Sequence, residues 1–362
     1  MMANYQFNSD NGAPICPAVM DALISCNTGV ETAYGADHYT ERLNAVYTDI
    51  FEREAFVFPV PTGTAGNGLA LGALTPSYGT IFCHRQAHLV TTECGAPEFY
   101  SGGCRLTLLG GEHNKVTPGA LEQSISAHGV GNVHHMAAST LSFAQATEAG
   151  VTYSPEEIAA LTKIARQAGM KTHMDGARFA NALVYLGVSP AEMSWKCGVD
   201  ILTFGTTKNG TMNAEAVITF DTNIARTLRF MHKRAGHLFS KMRYMSAQLL
   251  SYVENDLWLI NAKAANSNTS RIAKALGRCE GVRIVHPVHI NELFVAMPDT
   301  LQAELQAVGI TLRPWQVDAN TQGYRIVTTF CDDPDLIGQL EQVCELHKRT
   351  TGNDRLDSLS LR

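Results

Sequence analysis

Four short stretches of this chain carry residues able to do chemistry. In ILTFGTTKNG (201–210) an apolar, strand-like run leads into Lys208. A lysine there is either a solvated strand cap or an amine held at the exit of a buried strand. HMDGARFANAL (173–183) ends a strand at Asp175, turns at Gly176 and sets Arg178 at the start of a helix. An acid at the carboxyl end of a parallel strand lies on the side where such sheets bind ligands, although a surface Asp–Arg pair would read the same way. CHRQAHLVTTECGAP (83–97) puts His88 just after a strand, where an imidazole either lies flat on an aromatic ligand or fills a helix start. In PTGTAGNGLALGAL (61–74), Gly63 and Thr64 open an apolar helix. Its free N–H groups would hold a phosphate, or the stretch is a plain strand-to-helix turn. No Lys-Ser or Lys-Thr follows these glycines, so the stretch is not a nucleotide-type phosphate loop.

The four stretches fit one chemistry together. Pyridoxal 5'-phosphate needs a helix N-terminus for its phosphate and a carboxylate to keep its pyridine nitrogen protonated. It also needs a lysine amine for the Schiff base with its aldehyde.

The elements that must position these residues are legible as patterns. AFVFP, TIFC, CRLTLL, VHHMAAS, KTHMD, DILTF and AVITF read as strands. Between them lie helices, the clearest being SPEEIAALTKIARQAG (154–169). There Ser154 and Glu157 form a capping-box signature around Pro155, and Gly169 marks the stop. Strands alternating with helices predict an α/β fold, a mostly parallel sheet with helices on both faces. From about 224 to 278 the pattern is continuously helical. VRIVHP, HINELFVAM, RPWQVD and YRIVTTF, with two helices among them, then predict a smaller α+β C-terminal domain. The resulting division is an N-terminal arm (1–20), a large cofactor-binding domain (21–250) and a small domain (251–362).

Composition narrows the function classes. Hydrophobic residues make up 45% and charged residues 17% of 362, an ordinary globular balance. A net charge of −6 offers no footprint for nucleic acid or an anionic membrane, and no apolar run reaches spanning length. The N-terminus lacks the layout of a secretory signal. Nine scattered cysteines without a CxxC indicate neither a disulfide framework nor a zinc site, and a cytoplasmic location is expected. No metal-ligand spacing is visible.

SDN (9–11), YGAD (34–37), PTGTAGN (61–67), HMDGAR (173–178), TTKNG (206–210) and YRIVTTF (324–330) follow one another in a family's order. Along nearly its whole length the chain resembles the threonine aldolases, fold-type-I pyridoxal-phosphate enzymes, and is close to the low-specificity and phenylserine-type members. The resemblance implies retro-aldol cleavage of L-3-hydroxy amino acids (L-threonine, L-allo-threonine, phenylserine) to glycine and an aldehyde. Racemase, transaldolase and β-eliminating chemistry use the same parts, and a catalytically silent protein would keep the same fold. By this likeness Gly63 and Thr64 bind the phosphate, His88 stacks on the ring, Asp175 pairs with the ring nitrogen and Lys208 forms the Schiff base. Ser9, Arg178 and Arg325 hold the substrate carboxylate, and Arg243 reaches the cofactor. The family forms dimers or tetramers with shared sites, to which Tyr34 would contribute from a neighbour. In two places the chain departs from the pattern. KRAGHLFSKMR (233–243) replaces a glycine-rich segment, and Gln145 in SFAQATEAG (142–150) stands where many members have a histidine near the substrate hydroxyl. Glutamine is no base, so His88, His134, His135 or a held water must serve. A strand through His134 and His135 would turn at most one of them to the site.

Overall fold

The computed structural model describes residues 5–129, 131–317 and 321–359, with 350–359 by their backbone alone. Residues 1–4 of the expected arm and Asp318 of the expected strand RPWQVD lie outside the described residues. The described chain divides into two units.

The larger unit, Pro14–Glu148 with Thr152–Leu259, is built on a seven-stranded sheet. Its strands are β1 (Phe56–Val60), β2 (Gly79–His84), β3 (Arg105–Leu109), β4 (Ala137–Ala144), β5 (Lys171–Gly176), β6 (Ile201–Phe204) and β7 (Glu215–Thr219). The order is β1-β7-β6-β5-β4-β2-β3. β7 runs antiparallel to both of its neighbours and every other pairing is parallel. All strands except β7 therefore point the same way, and the loops that follow β1, β2, β4, β5 and β6 open on one edge. That edge is where open α/β sheets bind ligands.

Each expected strand of this sheet forms, with one shift of boundary. VHHMAAS does not start a strand at its histidines. His134 and His135 lie in the turn before β4, where Gly131 has φ +82° and Asn132 Oδ1 accepts the His134 N–H at 3.0 Å. Strand alternation therefore says nothing about these two side chains. The continuous helical region likewise breaks into Thr222–Arg234, Arg243–Val253 and Leu257–Leu276. Gly236 at φ +80° ends the first, and Asn255 and Asp256, at φ +53° and +56°, separate the other two. The capping box opening Pro155–Gln167 forms as read, with Ser154 N–H donating to Glu157 Oε2 at 2.7 Å.

Two packing features fix the strands that carry the site. The helix Gly63–Leu74 lies directly on the sheet, since a Cβ on Gly66 would sit 2.7 Å from Thr203 Cγ2 on β6. On β6 itself, the Phe204 ring packs against Tyr47, Phe179 and Trp258 at centroid distances of 5.7, 5.7 and 5.6 Å. Aromatic pairs of this kind contribute about 0.5–1.5 kcal/mol each beyond their buried area. They anchor the strand whose exit holds Lys208.

The smaller unit comprises the chain up to Ala13, Ala149–Val151 and the residues from Ile260 onward. It carries β8 (Arg283–Ile284), β9 (Glu292–Ala296), β10 (Arg313–Gln316) and β11 (Gln322–Val327) in the all-antiparallel order β10-β11-β9-β8. Ile272, Leu276, Leu293, Leu301, Ile326 and Leu340 form the centre of its core. Among the described residues no helix is long and apolar enough to cross a membrane.

Candidate active site

At the carboxyl edge of the larger sheet, one cavity is lined by Gly63, His88, Glu148, Asp175, Arg178 and Lys208, with Asn67 behind them. Five of the residues singled out from the sequence thus meet at one place.

Lys208 sits in a single 3-10 turn, Thr207–Asn209, just past β6. The turn is tied down from below by Glu215 on β7, whose Oε2 accepts the Thr206 N–H at 2.6 Å and which also bonds Thr207. Burial pushes the Glu215 carboxyl up to about 6, while those bonds and the Lys208 ammonium pull it back. From the other side, Asn209 Nδ2 donates to Tyr252 Oη and to the Trp258 carbonyl, both at 2.8 Å. Gly205 is required by a close approach: a Cβ there would stand 2.6 Å from the Ala177 backbone. The Thr206 hydroxyl is engaged with Thr211 Oγ1 and the Ala214 carbonyl. Its role is to shape the turn.

Asp175 is buried, with 6% of its surface exposed, so it is not half of a surface ion pair. Oδ1 accepts the Ala177 N–H at 3.0 Å and Oδ2 accepts from Asn67 Nδ2 at 2.8 Å. The same Asn67 nitrogen donates to Glu93 Oε1 at 2.7 Å. Glu93 is fully buried, and its Oε1 also meets His88 Nδ1 at 2.7 Å. A chain of polar contacts therefore runs Asp175–Asn67–Glu93–His88. It raises the His88 imidazole above its ordinary value, the hydrogen bond that the ring donates to Glu93 being the largest cause. Glu93 itself is raised, chiefly by burial.

The helix N-terminus expected to hold a phosphate is open at the right place. Thr62 caps it by accepting the Ala65 N–H at 3.1 Å, and a Cβ on Gly63 would meet nothing within 4 Å. Thr64 follows in the first turn but is not among the cavity-lining residues. An amine, a buried carboxylate, an imidazole, a guanidinium and an unblocked helix N-terminus around one cavity match the donor set that pyridoxal phosphate requires.

Other expected residues lie elsewhere in this chain. His134 and His135 are exposed and line a separate cavity with His128 and Asn132. Tyr34 is 54% exposed beneath the Lys233 ammonium, which lies 4.4 Å from its ring. Arg243 donates to the carbonyls of Thr28 and Gly29 at 3.1 and 3.3 Å. In the smaller unit Ser9 and Arg325 come together: Arg325 Nη2 donates at 3.1 Å to the carbonyl of Asn8, and Ser9 caps the turn that follows.

Four site residues escape the sequence reading, namely Asn67, Glu93, Glu148 and Glu215. Asn67 and Glu93 fall inside stretches that attract attention for their glycines and histidine. Their signal is a polar residue among small apolar ones. Gln145, where the resemblance leads one to expect a histidine, is fully buried and clamps the Tyr153 backbone, its amide donating to the carbonyl and accepting the N–H at 2.9 Å each.

The chain is similar to proteins already known. A model of the beta-eliminating lyase family matches residues 6–300. The low specificity L-threonine aldolase of Pseudomonas aeruginosa is 40% identical over 304 residues, 84% of this chain and 87% of that protein. Its counterpart from a Pseudomonas species is 38% identical over the same shares. The solved threonine aldolase of Leishmania major superposes with a TM-score of 0.86 over 96% of this chain and 99% of that one, at 21% identity.

Proposed function

The chain belongs to the beta-eliminating lyase family, whose members depend on pyridoxal phosphate, and on that premise we propose that it is a low-specificity L-threonine aldolase. It would cleave L-threonine, L-allo-threonine and phenylserine-like 3-hydroxy amino acids to glycine and an aldehyde. The observation that carries this reading is the convergence of Lys208, Asp175, His88, Arg178 and Gly63 on one cavity.

In this proposal Gly63 and Thr64 hold the phosphate, Asp175 the ring nitrogen, Lys208 the aldehyde carbon and His88 one ring face. When bound, the cofactor supplies an electron sink for the bond broken at Cα. Arg178, Arg325 and Ser9 fix the substrate carboxylate, and bidentate guanidinium contacts suit that task because they set orientation as well as charge. Orientation selects the Cα–Cβ bond for cleavage over the Cα–H bond. Assembly as a dimer or tetramer in the cytoplasm completes the proposal, with Tyr34 and Arg243 serving a neighbouring copy's site. The nine unpaired cysteines suit a reducing compartment.

The test combines spectra and products. Purified protein should be yellow, borohydride should trap the cofactor on Lys208, and threonine or phenylserine should yield glycine plus the matching aldehyde. An adduct on another lysine, or no glycine from either substrate, would overturn the reading.

A further inference from the structure

We propose that Glu148 is the proton acceptor for the substrate β-hydroxyl in this chain. The inference deepens the aldolase reading and rests on it.

The geometry begins at β4. Past its end the chain passes through Gln145, whose amide is locked onto Tyr153, and reaches Glu148. Glu148 lines the same cavity as Lys208, Asp175 and His88. Its Oε1 accepts the His88 backbone N–H at 2.7 Å, which fixes the carboxylate beside the imidazole proposed to cover one ring face. Within this chain it is a carboxylate at the cavity other than Asp175, which the proposed function assigns to the cofactor ring nitrogen. Its proton affinity suits the task. Burial pushes the carboxyl up to about 7, with Asp175 adding to the rise, while backbone N–H groups and His88 oppose it. The titratable and charged groups around it are Asp175, His88, Lys208 and Arg178 at the cavity, Cys83 on β2 and Tyr153 beyond the β4 loop. Burial lifts the last two far from neutrality. A base whose proton affinity lies near the working pH is the most effective kind.

The step balances. The β-O–H bond breaks and its proton passes to Glu148. The O–H electron pair becomes the second bond of the aldehyde C=O as Cα–Cβ breaks. The pair leaving that bond stays with the Cα fragment until a proton is added there to give glycine. Glu148 then releases its proton, so none is gained or lost overall.

Glu148→Gln and Glu148→Asp in the cofactor-loaded protein test the inference. Glycine has no β-hydroxyl, so exchange of its Cα proton in heavy water reports cofactor and carboxylate binding without the proposed base. Glu148→Gln should keep the yellow colour, the Lys208 adduct and glycine exchange within about threefold, while threonine cleavage falls by about 10²–10⁴-fold, the usual worth of a general base. The tenfold-per-unit fall in wild-type kcat/KM below about pH 7 should vanish from the residual rate and return in Glu148→Asp. Cleavage within fivefold of wild type, or parallel loss of cleavage and glycine exchange, would overturn the assignment while leaving the aldolase reading standing. A wild-type protein that takes up no cofactor would overturn both.

Discussion

Glu148→Gln should also make the cofactor-free protein more stable at alkaline pH. The Glu148 carboxyl rises from its ordinary 4.5 to about 7 in the folded chain, mainly through burial. The native state therefore holds that proton more tightly than the unfolded chain does. The associated stability is present in acid, drains away as pH rises from about 4.5 to about 7, and stays lost above that. At about 1.36 kcal/mol per pH unit, the window amounts to roughly 3 kcal/mol. Glutamine keeps an acceptor for the His88 N–H but never has to ionise in the cavity. Denaturant melts of wild type and variant, both without cofactor, would be run at pH 5 and pH 8.5. The variant should gain about 2 kcal/mol on wild type between those two conditions. Glu93 and Glu215 also titrate from raised values, but both proteins share them and their contributions cancel in the difference. A difference independent of pH, or one favouring wild type as pH rises, would refute the reasoning. A carboxylate kept where it costs stability at working pH is the trade expected of a functional group.

Further outcomes follow from the same geometry. Asp175→Asn preserves shape and the contact with Ala177 but removes the charge, so turnover should fall by about 10²-fold or more with cofactor still bound; near-wild-type turnover would remove Asp175 from the mechanism. Glu93→Gln takes away the largest contribution raising His88, and the NMR titration of the His88 ring should move to lower pH, whereas an unmoved titration would show that Glu93 does not govern it. Gly205→Ala drives a Cβ to within 2.6 Å of the Ala177 backbone, and the expected cost is about 1–3 kcal/mol in a denaturant melt, with an unchanged midpoint counting against the close approach.

Much of this site is legible in the sequence because strand ends announce themselves. Lys208 follows a buried, mostly apolar strand and Asp175 ends the short segment KTHMD, and parallel strands bring such ends to one edge whatever the loop lengths. The partners that hold them are not legible. Nothing local in Asn67 says that its amide will bridge two carboxylates contributed by distant parts of the chain. Nothing in Glu215 says that a β7 residue will support the Lys208 turn, because antiparallel pairing with β6 decides it. VHHMAAS reads as one strand in the sequence, but Gly131 and the Asn132 side chain hold His134 and His135 in a turn ahead of it.

Position along the chain does not by itself identify the base. The family resemblance leads one to expect a histidine at position 145, where this chain has a glutamine. Sequence position fixes where a Cα falls along the chain; catalysis depends on which side-chain atom reaches the cavity. Gln145 is turned inward onto Tyr153, and Glu148, farther along the same loop, takes the place beside His88. A carboxylate replaces an imidazole effectively only if its proton affinity rises toward neutrality, and burial in this loop supplies that rise. Gln145 and Glu148 thus divide the loop after β4 between a backbone clamp and the cavity. A histidine placed at position 145 should accordingly fail to rescue threonine cleavage in Glu148→Gln, because the new imidazole would have to give up the Tyr153 backbone to reach the cavity.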